Sequence, residues 1–126
     1  MRVVDTSAWI EYLRETPPGD KVEAALPRRD QWLVPTIVQF ELAKWLMREM
    51  ELDVADAVLS FHDTCEVADL DTGTALAAAE LGVRHKLATA DAIVYATAQA
   101  YGADLLTCDR HFKDLPGVIF IPKHDA

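Results

Sequence analysis

VVDTSAWI, residues 3–10, joins an apolar run to a helical pattern through one carboxylate, Asp5. Residues 2–4 are predicted to form a buried strand, and residues 6 to about 15 a helix with Thr6 or Ser7 at its N-cap. LLTCDRHF, residues 105–112, has the same form, because Asp109 closes an apolar run and a helical turn follows it. The carboxyl ends of parallel strands share one edge of a sheet, where ligands bind, so Asp5 and Asp109 are expected to meet there.

Strands and helices alternate along the rest of the chain. Apolar periodicity and turn residues predict strands at 32–34, 66–68, 104–107 and 118–121, and helices at 20–26, 36–50, 53–64, 74–85 and 90–101. This alternation predicts an α/β domain with a parallel sheet and right-handed crossovers.

Residues with turn and cap preferences set the predicted helix ends. Pro17-Pro18-Gly19 is expected to end the first helix, and Gly102 to follow the last one as its C′ glycine. Further caps are expected from a capping box of Thr36 with Gln39, and from Asp53 and Asp71.

The composition predicts one globular domain over residues 1–126, since 51% of the residues are hydrophobic and 26% are charged. No apolar stretch approaches the roughly 20 residues of a membrane span, and the early charges do not suit a signal peptide. A cytoplasmic location without membrane contact is therefore expected. Cys65 and Cys108 show no metal-ligand spacing and suit reduced thiols.

The net charge of −9 argues against nonspecific nucleic-acid binding, because such affinity comes from Lys and Arg displacing counterions. This objection weakens if several acids are clustered around divalent cations, because bound ions would cancel their charge where a phosphate must sit. The local charge at the site is therefore expected to decide nucleic-acid binding more than the net charge of the chain does.

Four acidic segments carry a family resemblance. VVDTS (3–7), PTIVQFEL (35–42), ADAIV (90–94) and LTCD (106–109) occur in this order, and Phe112 and a Gly117–Pro122 ending follow them. With these motifs, the sequence resembles the PIN-domain ribonucleases, in particular the VapC toxins of toxin–antitoxin pairs, over essentially its whole length. Each motif alone is weak, but the ordered set is specific.

The resemblance implies a three-layer α/β/α domain with a central parallel sheet, Mg²⁺ or Mn²⁺ in an acidic pocket, and endonucleolytic cleavage of RNA. It also implies a VapB-type antitoxin as partner, and a homodimer. Carried over position by position, it assigns a catalytic and metal-binding quartet to Asp5, Glu41, Asp91 and Asp109, and supporting roles to Thr6, Ser7 and Thr107.

The chemistry expected of such a site explains the acids. Mg²⁺ prefers oxygen ligands, and a metal-bound water can attack phosphorus in line while a metal stabilises the leaving oxygen. Asp5 and Asp109 are expected nearest the first ion. Glu41 and Asp91 would hold its waters or a second ion, with one of them orienting the attacking water, and Thr107 would hydrogen-bond a carboxylate or phosphate oxygen.

Each acid also has an ordinary explanation. Asp5, Asp91 and Asp109 lie where helix caps are found, and Glu41 where solvated helix carboxylates are found. Caps predict neither the flanking residues nor the order of the four segments, so a joint site is the preferred interpretation.

Other function classes fit the sequence less well. A phospho-receiver domain resembles this chain in length and acidity, but it pairs two acids after its first strand, where Asp5 is unpaired, and residues 66–68 lead only to Asp69 and Asp71. A phosphatase of the haloacid dehalogenase kind would need an Asp in place of Ser7. A catalytically inactive binding module on the same fold remains an alternative.

The remaining polar and aromatic candidates are expected to pack or to lie at the surface. Cys108 should face the core, and the helix bearing Trp45, Met47 and Met50 could extend into a partner-binding surface. The histidines show no zinc spacing, and His111 alone is kept as a lesser candidate for substrate contact: His62, His85, His111 and His124.

Overall fold

The computed structural model describes residues 1–123, so the expectation for His124 lies outside the described part of the chain. The strands are β1 (Arg2–Val4), β2 (Trp32–Pro35), β3 (Glu66–Ala68), β4 (Asp104–Thr107) and β5 (Val118–Phe120). The helices are α1 (Thr6–Leu13), α2 (Pro17–Ala25), α3 (Thr36–Glu49), α4 (Leu52–His62), α5 (Thr72–His85) and α6 (Thr89–Ala100). Short 3₁₀ turns span Arg29–Gln31 and Arg110–Phe112.

The five strands form one sheet in the order β3-β2-β1-β4-β5, and every neighbouring pair is parallel. β1 lies at the centre, where Val3 pairs with Leu33 on one side and Leu105 on the other. The predicted parallel sheet is therefore confirmed. All carboxyl ends lie along one edge, called here the carboxyl edge, and this edge carries Asp5 beside the end of β4.

Helices cover both faces of the sheet in a three-layer α/β/α arrangement, with α1 packed on α2, α3 on α4 and α5 on α6. Trp9 of α1 lies 5.4 Å from Trp32 of β2 and 6.2 Å from Phe61 of α4 between ring centroids. Trp9 and Trp32 are buried in the core, as predicted, and Phe61 is partly buried against it. No helix among residues 1–123 combines the length and apolarity needed to cross a lipid bilayer.

One predicted helix boundary and one predicted cap are wrong, and a proline lies at each. Pro17-Pro18-Gly19 begins α2 instead of breaking the chain, with Thr16 accepting a hydrogen bond from the Gly19 N–H at 3.1 Å. Proline is tolerated in the first turn because its missing N–H has no intrahelical partner there. At α3 the N-cap is Pro35 without a side-chain cap bond, so the capping box of Thr36 and Gln39 does not form.

The acidic caps have mixed outcomes. Asp71 caps α5 as predicted, accepting from the Thr74 N–H at 2.8 Å. Asp53 does not cap α4, whose N-cap is Glu51. At α1 the N-cap position belongs to Asp5 instead of Thr6 or Ser7. The carboxylate of Asp5 makes no cap bond, which frees it for other contacts.

Candidate active site

The two strand-end carboxylates follow adjacent strands. The Asp5 N–H donates to the Leu106 carbonyl at 2.9 Å, which extends the pairing of β1 with β4 to the carboxyl edge. Asp109 follows β4 by two residues and begins the turn Arg110–Phe112, in which the fully buried Phe112 ring anchors the backbone. The sheet register thereby brings the first and last predicted acids to the same place.

Asp5 is a buried carboxylate, only 5% exposed. Its Oδ2 accepts hydrogen bonds from the Ser7 hydroxyl and the Thr107 hydroxyl, both at 2.8 Å. Burial raises the pKa of Asp5, these two hydrogen bonds oppose the rise, and the charge of Asp109 adds to it. Thr107 therefore contacts a carboxylate, as expected for its supporting position.

The two hydroxyls are oriented by backbone N–H groups. The Cys108 N–H donates to Ser7 Oγ at 3.0 Å, and the Asp109 N–H donates to Thr107 Oγ1 at 3.0 Å. Each hydroxyl has one hydrogen to donate, and with its oxygen accepting from the backbone that hydrogen is directed at Asp5. The segment after β4 thus fixes the Asp5 carboxylate through two relays. Cys108 itself is buried, as predicted.

Glu41 reaches the site from the second turn of α3. The Thr6 hydroxyl donates to Glu41 Oε1 at 3.0 Å, which ties α1 to α3. Burial raises the pKa of Glu41, the Thr6 bond opposes this, and the charges of Asp5 and Asp109 add to the rise. Glu41 is therefore within electrostatic reach of both strand-end acids and is not a freely solvated helix carboxylate.

Asp91 lies in the first turn of α6, where the N-cap is Ala88, so Asp91 is not a cap. Burial raises the pKa of Asp91 to about 6, repulsion from Asp109, Asp5 and Glu41 acts in the same direction, and His111 opposes it. The carboxylate is 20% exposed, so it can still meet a ligand.

Asp109, Asp91 and His111 form the tightest ligand group. His111 Nδ1 lies 3.1 Å from Asp109 Oδ1 and 3.7 Å from Asp91 Oδ2. One ligand atom from each of the three lies within 4.8 Å of the others, the one such group of His, Cys, Asp or Glu among residues 1–123. Asp109 Oδ1 also accepts from the His111 N–H at 2.9 Å, so this acid does cap its short turn.

The ligand group in the structure joins Asp109 to Asp91 and His111. The expectation that Asp5 and Asp109 lie nearest the first ion stays a prediction. His111 was kept only as a lesser candidate for substrate contact. The signal that could have raised its rank is its spacing, because a residue two positions after a capping Asp in a tight turn is held beside that Asp.

The comparison with known families agrees with this geometry. Residues 2–118 match the sequence model of the PIN domain. The chain belongs to the PIN domain family. Among curated proteins, none matches the sequence significantly.

Solved structures share the fold of this PIN domain at low sequence identity. A toxin–antitoxin complex from Klebsiella pneumoniae matches with a TM-score of 0.82 and 22% identity, covering 98% of this chain and 100% of that one. VapC20 of Mycobacterium tuberculosis, described as a sarcin-ricin loop cleaving toxin, matches with a TM-score of 0.76 and 20% identity over 97% and 100% of the two chains. FitAcB from Neisseria gonorrhoeae matches with a TM-score of 0.75 and 20% identity, covering 99% of this chain and 100% of that one.

The donor set of this PIN domain fits a hard divalent cation. Its carboxylates offer oxygen, which Mg²⁺ and Mn²⁺ prefer, and the ligand group of Asp91, Asp109 and His111 contains no thiol. Burial is the main cause that raises the pKa values of Asp5, Glu41 and Asp91, and repulsion between the acids acts in the same direction, so a bound cation would favour their charged forms. Residues that would hold an ion are Asp91 and Asp109, with His111 beside them.

Proposed function

We propose that this PIN domain is a metal-dependent endoribonuclease and the toxin of a toxin–antitoxin pair. The convergence of four carboxylates from separate elements carries the proposal, because hydrogen bonds across those elements and the ligand group of Asp91, Asp109 and His111 bring them to one place, which separate helix caps do not require. Mg²⁺ or Mn²⁺ is the proposed cofactor, and the quartet Asp5, Glu41, Asp91 and Asp109 the proposed catalytic set.

Structural neighbours support the biological role. The matches include a toxin–antitoxin complex and a toxin described as cleaving the sarcin-ricin loop, and both are covered over their whole length. For this chain we accordingly propose an RNA substrate, a VapB-type antitoxin as partner and a homodimer.

Each residue of the site has a separate proposed role in RNA cleavage. A bound divalent ion supplies an activated water and stabilises the leaving oxygen in phosphodiester hydrolysis. Asp91 and Asp109 hold the ion, with Asp109 fixed by its bond to the His111 N–H. The hydroxyls of Ser7 and Thr107 hold the Asp5 carboxylate in place by hydrogen bonds. Its negative charge is therefore preorganised to position cationic and polar groups in the site. Glu41, held by Thr6, is left to orient the attacking water.

The antitoxin has two features to recognise. The acidic pocket suits an Arg, whose guanidinium binds carboxylates bidentately. α3 and α4 expose Met47 (72%) and Leu52 (76%), which offer apolar contact, whereas Trp45 and Met50 are partly buried against the core. We propose that the partner packs on these helices and inserts an Arg into the site.

The function is tested by mapping RNA ends after incubating total cellular RNA with the purified protein. We expect cleavage with Mg²⁺ or Mn²⁺, none in EDTA, and none by a folded Asp5→Asn variant, because the removed charge belongs to the site. Asp56→Asn is the matched control, since Asp56 is exposed on α4, and it should cut like wild type. Full activity in EDTA would end the metal proposal, and no cleavage under any condition would favour the inactive binding module.

A further inference from the structure

A groove of about 810 Å³ continues from the candidate active site toward β5. Its walls come from the segment after β4 and the end of β5: Cys108, Asp109, Arg110, His111, Lys113, Phe120, Pro122 and Lys123. Asp109 and His111 belong to both the groove and the acidic site. A ligand in the groove therefore passes directly beside the carboxylates, and the volume lies within the roughly 300–1,000 Å³ of ligand pockets.

Charge is distributed unevenly along the carboxyl edge. On the β3 side, the strand leads to the exposed acids Asp69 and Asp71. On the β5 side, the groove is lined by three exposed cations, Arg110, Lys113 and Lys123. None of the three forms an ion pair with another residue of the described range 1–123. In a chain with a net charge of −9, these cations are placed where a polyanion would have to approach the site.

An aromatic ring accompanies the cations. Phe120 ends β5 opposite Thr107 of β4 and is only partly buried, with its ring in the groove wall. Grooves that combine a positively charged path for the backbone with an aromatic surface for base stacking are typical of single-stranded nucleic-acid binding. The cations alone would suit any polyanion, whereas the aromatic ring favours a ligand with bases.

We propose that this groove binds the single-stranded RNA segment next to the scissile phosphate, with Lys113 and Lys123 contacting phosphates and Phe120 stacking on a base. The proposal deepens the nuclease function and rests on it for the identity of the substrate. It also gives the bound strand a direction of approach, from the β5 side past His111 to Asp109.

Binding is measured separately from cleavage. The probe is a fluorescein-labelled oligouridylate of about 16 nucleotides, the upper site size of a single-strand binding fold. Its anisotropy is titrated with full-length protein in EDTA over a range of salt concentrations. Lys113→Gln/Lys123→Gln should bind more weakly, with a salt slope of log Kd shallower by about 1.4, since each single-strand phosphate contact contributes about 0.7.

Arg14→Gln/Arg28→Gln is the matched control, because it removes the same charge from other exposed positions. Arg14 follows α1, about 12 Å along the helix from the carboxyl edge, and Arg28 precedes β2 at the opposite edge. This control should keep the wild-type affinity and slope. Phe120→Leu, with its melting temperature checked, should bind about fivefold or more weakly with the slope unchanged, because stacking involves no counterions.

Three results would overturn the groove assignment. One is equal weakening of the groove variant and the control, which would show that only overall charge matters. Another is wild-type RNA affinity in the groove variant together with lost antitoxin binding, which would assign the groove to the protein partner. The third is RNA cleavage by the groove variant with an unchanged KM. A wild-type protein that binds RNA through the groove but cuts none would contradict the nuclease proposal and leave the groove assignment standing.

Discussion

His62 is a residue whose chemistry conflicts with its surroundings. It is 0% exposed, and neither ring nitrogen has a hydrogen-bond partner among residues 1–123. The Trp9 ring lies 5.7 Å away between centroids. Burial lowers the pKa of His62, and the nearby charge of Asp63 opposes this only in part. Burial therefore favours the neutral imidazole in the folded protein, and both of its polar ring atoms are left without a partner.

His62 should make the protein sensitive to mild acid. Its folded pKa lies below the unfolded value of about 6.5. Below about pH 6.5 the unfolded chain therefore binds the extra proton, and stability falls with pH toward the folded pKa. We expect His62→Leu to melt as high as wild type or higher at about pH 7.5, because an apolar group of similar size leaves nothing unsatisfied. When the pH is lowered from about 7.5 to about 5.5, the melting temperature of His62→Leu should fall less than that of wild type.

His85→Gln serves as the control for this pH dependence, because His85 is partly exposed at the end of α5. Thermal melts of the three proteins across the pH range make the comparison. A His62→Leu variant with the wild-type dependence on pH would show that the buried imidazole is not the acid-sensitive group.

Among the elements, α1 and α2 approach each other closely at Gly19. A Cβ at this position would lie 2.7 Å from the carbonyl carbon of Glu11 and 3.1 Å from Cα of Tyr12, both of which are backbone atoms of the α1 helix. Backbone cannot turn aside as a flexible side chain can, so any side chain at Gly19 must push the helices apart.

We expect Gly19→Ala to destabilise the fold by about 1–3 kcal/mol or more, the usual range for overpacking. Gly73→Ala is the matched control within α5, where the new methyl group would meet only Asp71 Oδ1 at 3.6 Å. It should stabilise by up to about 1 kcal/mol, because alanine is the better helix former. Urea unfolding measures the change in the free energy of unfolding for both variants. Equal changes would contradict the close approach of α1 and α2 at Gly19.

The strands were predictable from sequence because each contains a short apolar run bounded by polar or turn-forming residues. The observed β1, β3 and β4 have the predicted limits, and β2 and β5 differ by one residue at one end. Helix starts were less predictable. Pro17 gives the same local signal whether it ends one helix or begins the next, and the close packing of α2 on α1 decides between the two.

The meeting of the acids was predictable from the shared edge of a parallel sheet, but their detailed grouping was not. The contact of Asp91 with Asp109 and His111 depends on how α6 packs beside β4 and on the rotamers of three side chains. The hydrogen bonds that run from the backbone through Ser7 and Thr107 to Asp5 also depend on tertiary structure, because Thr107 and Asp5 are 102 positions apart in sequence. Membership of the PIN family, predicted from the ordered motifs, is confirmed.

For the molecule as a whole, the acidic site opposes folding until its charge is neutralised. The pKa of Asp91 is raised to about 6, so the folded state holds the proton more tightly than the unfolded chain does. The resulting loss of stability is complete above about pH 6 and diminishes as the pH falls through that value toward the unfolded pKa of about 3.9.

In EDTA at neutral pH, Asp91→Asn should therefore melt higher than wild type, and the difference should shrink as the pH falls below about 6. Millimolar Mg²⁺ or Mn²⁺ should raise the melting temperature of wild type more than that of the variant, because an ion that binds only the folded state stabilises it. Asp56→Asn again serves as the control. A lower melting temperature of Asp91→Asn in EDTA, with no difference in the response to metal, would argue against a strained metal site.

The central position of β1 has a consequence for protein synthesis. Asp5 is synthesised before the β4 strand that lies beside it, and the hydroxyl of Thr107 follows 102 residues later. At about 5–20 residues per second, that interval lasts about 5–20 seconds. A nascent chain cannot complete its acidic site during this time, since β4 and Asp109 do not yet exist. If the protein cuts RNA, the ribosome that makes it is therefore protected from the product until β4 and Asp109 have been synthesised.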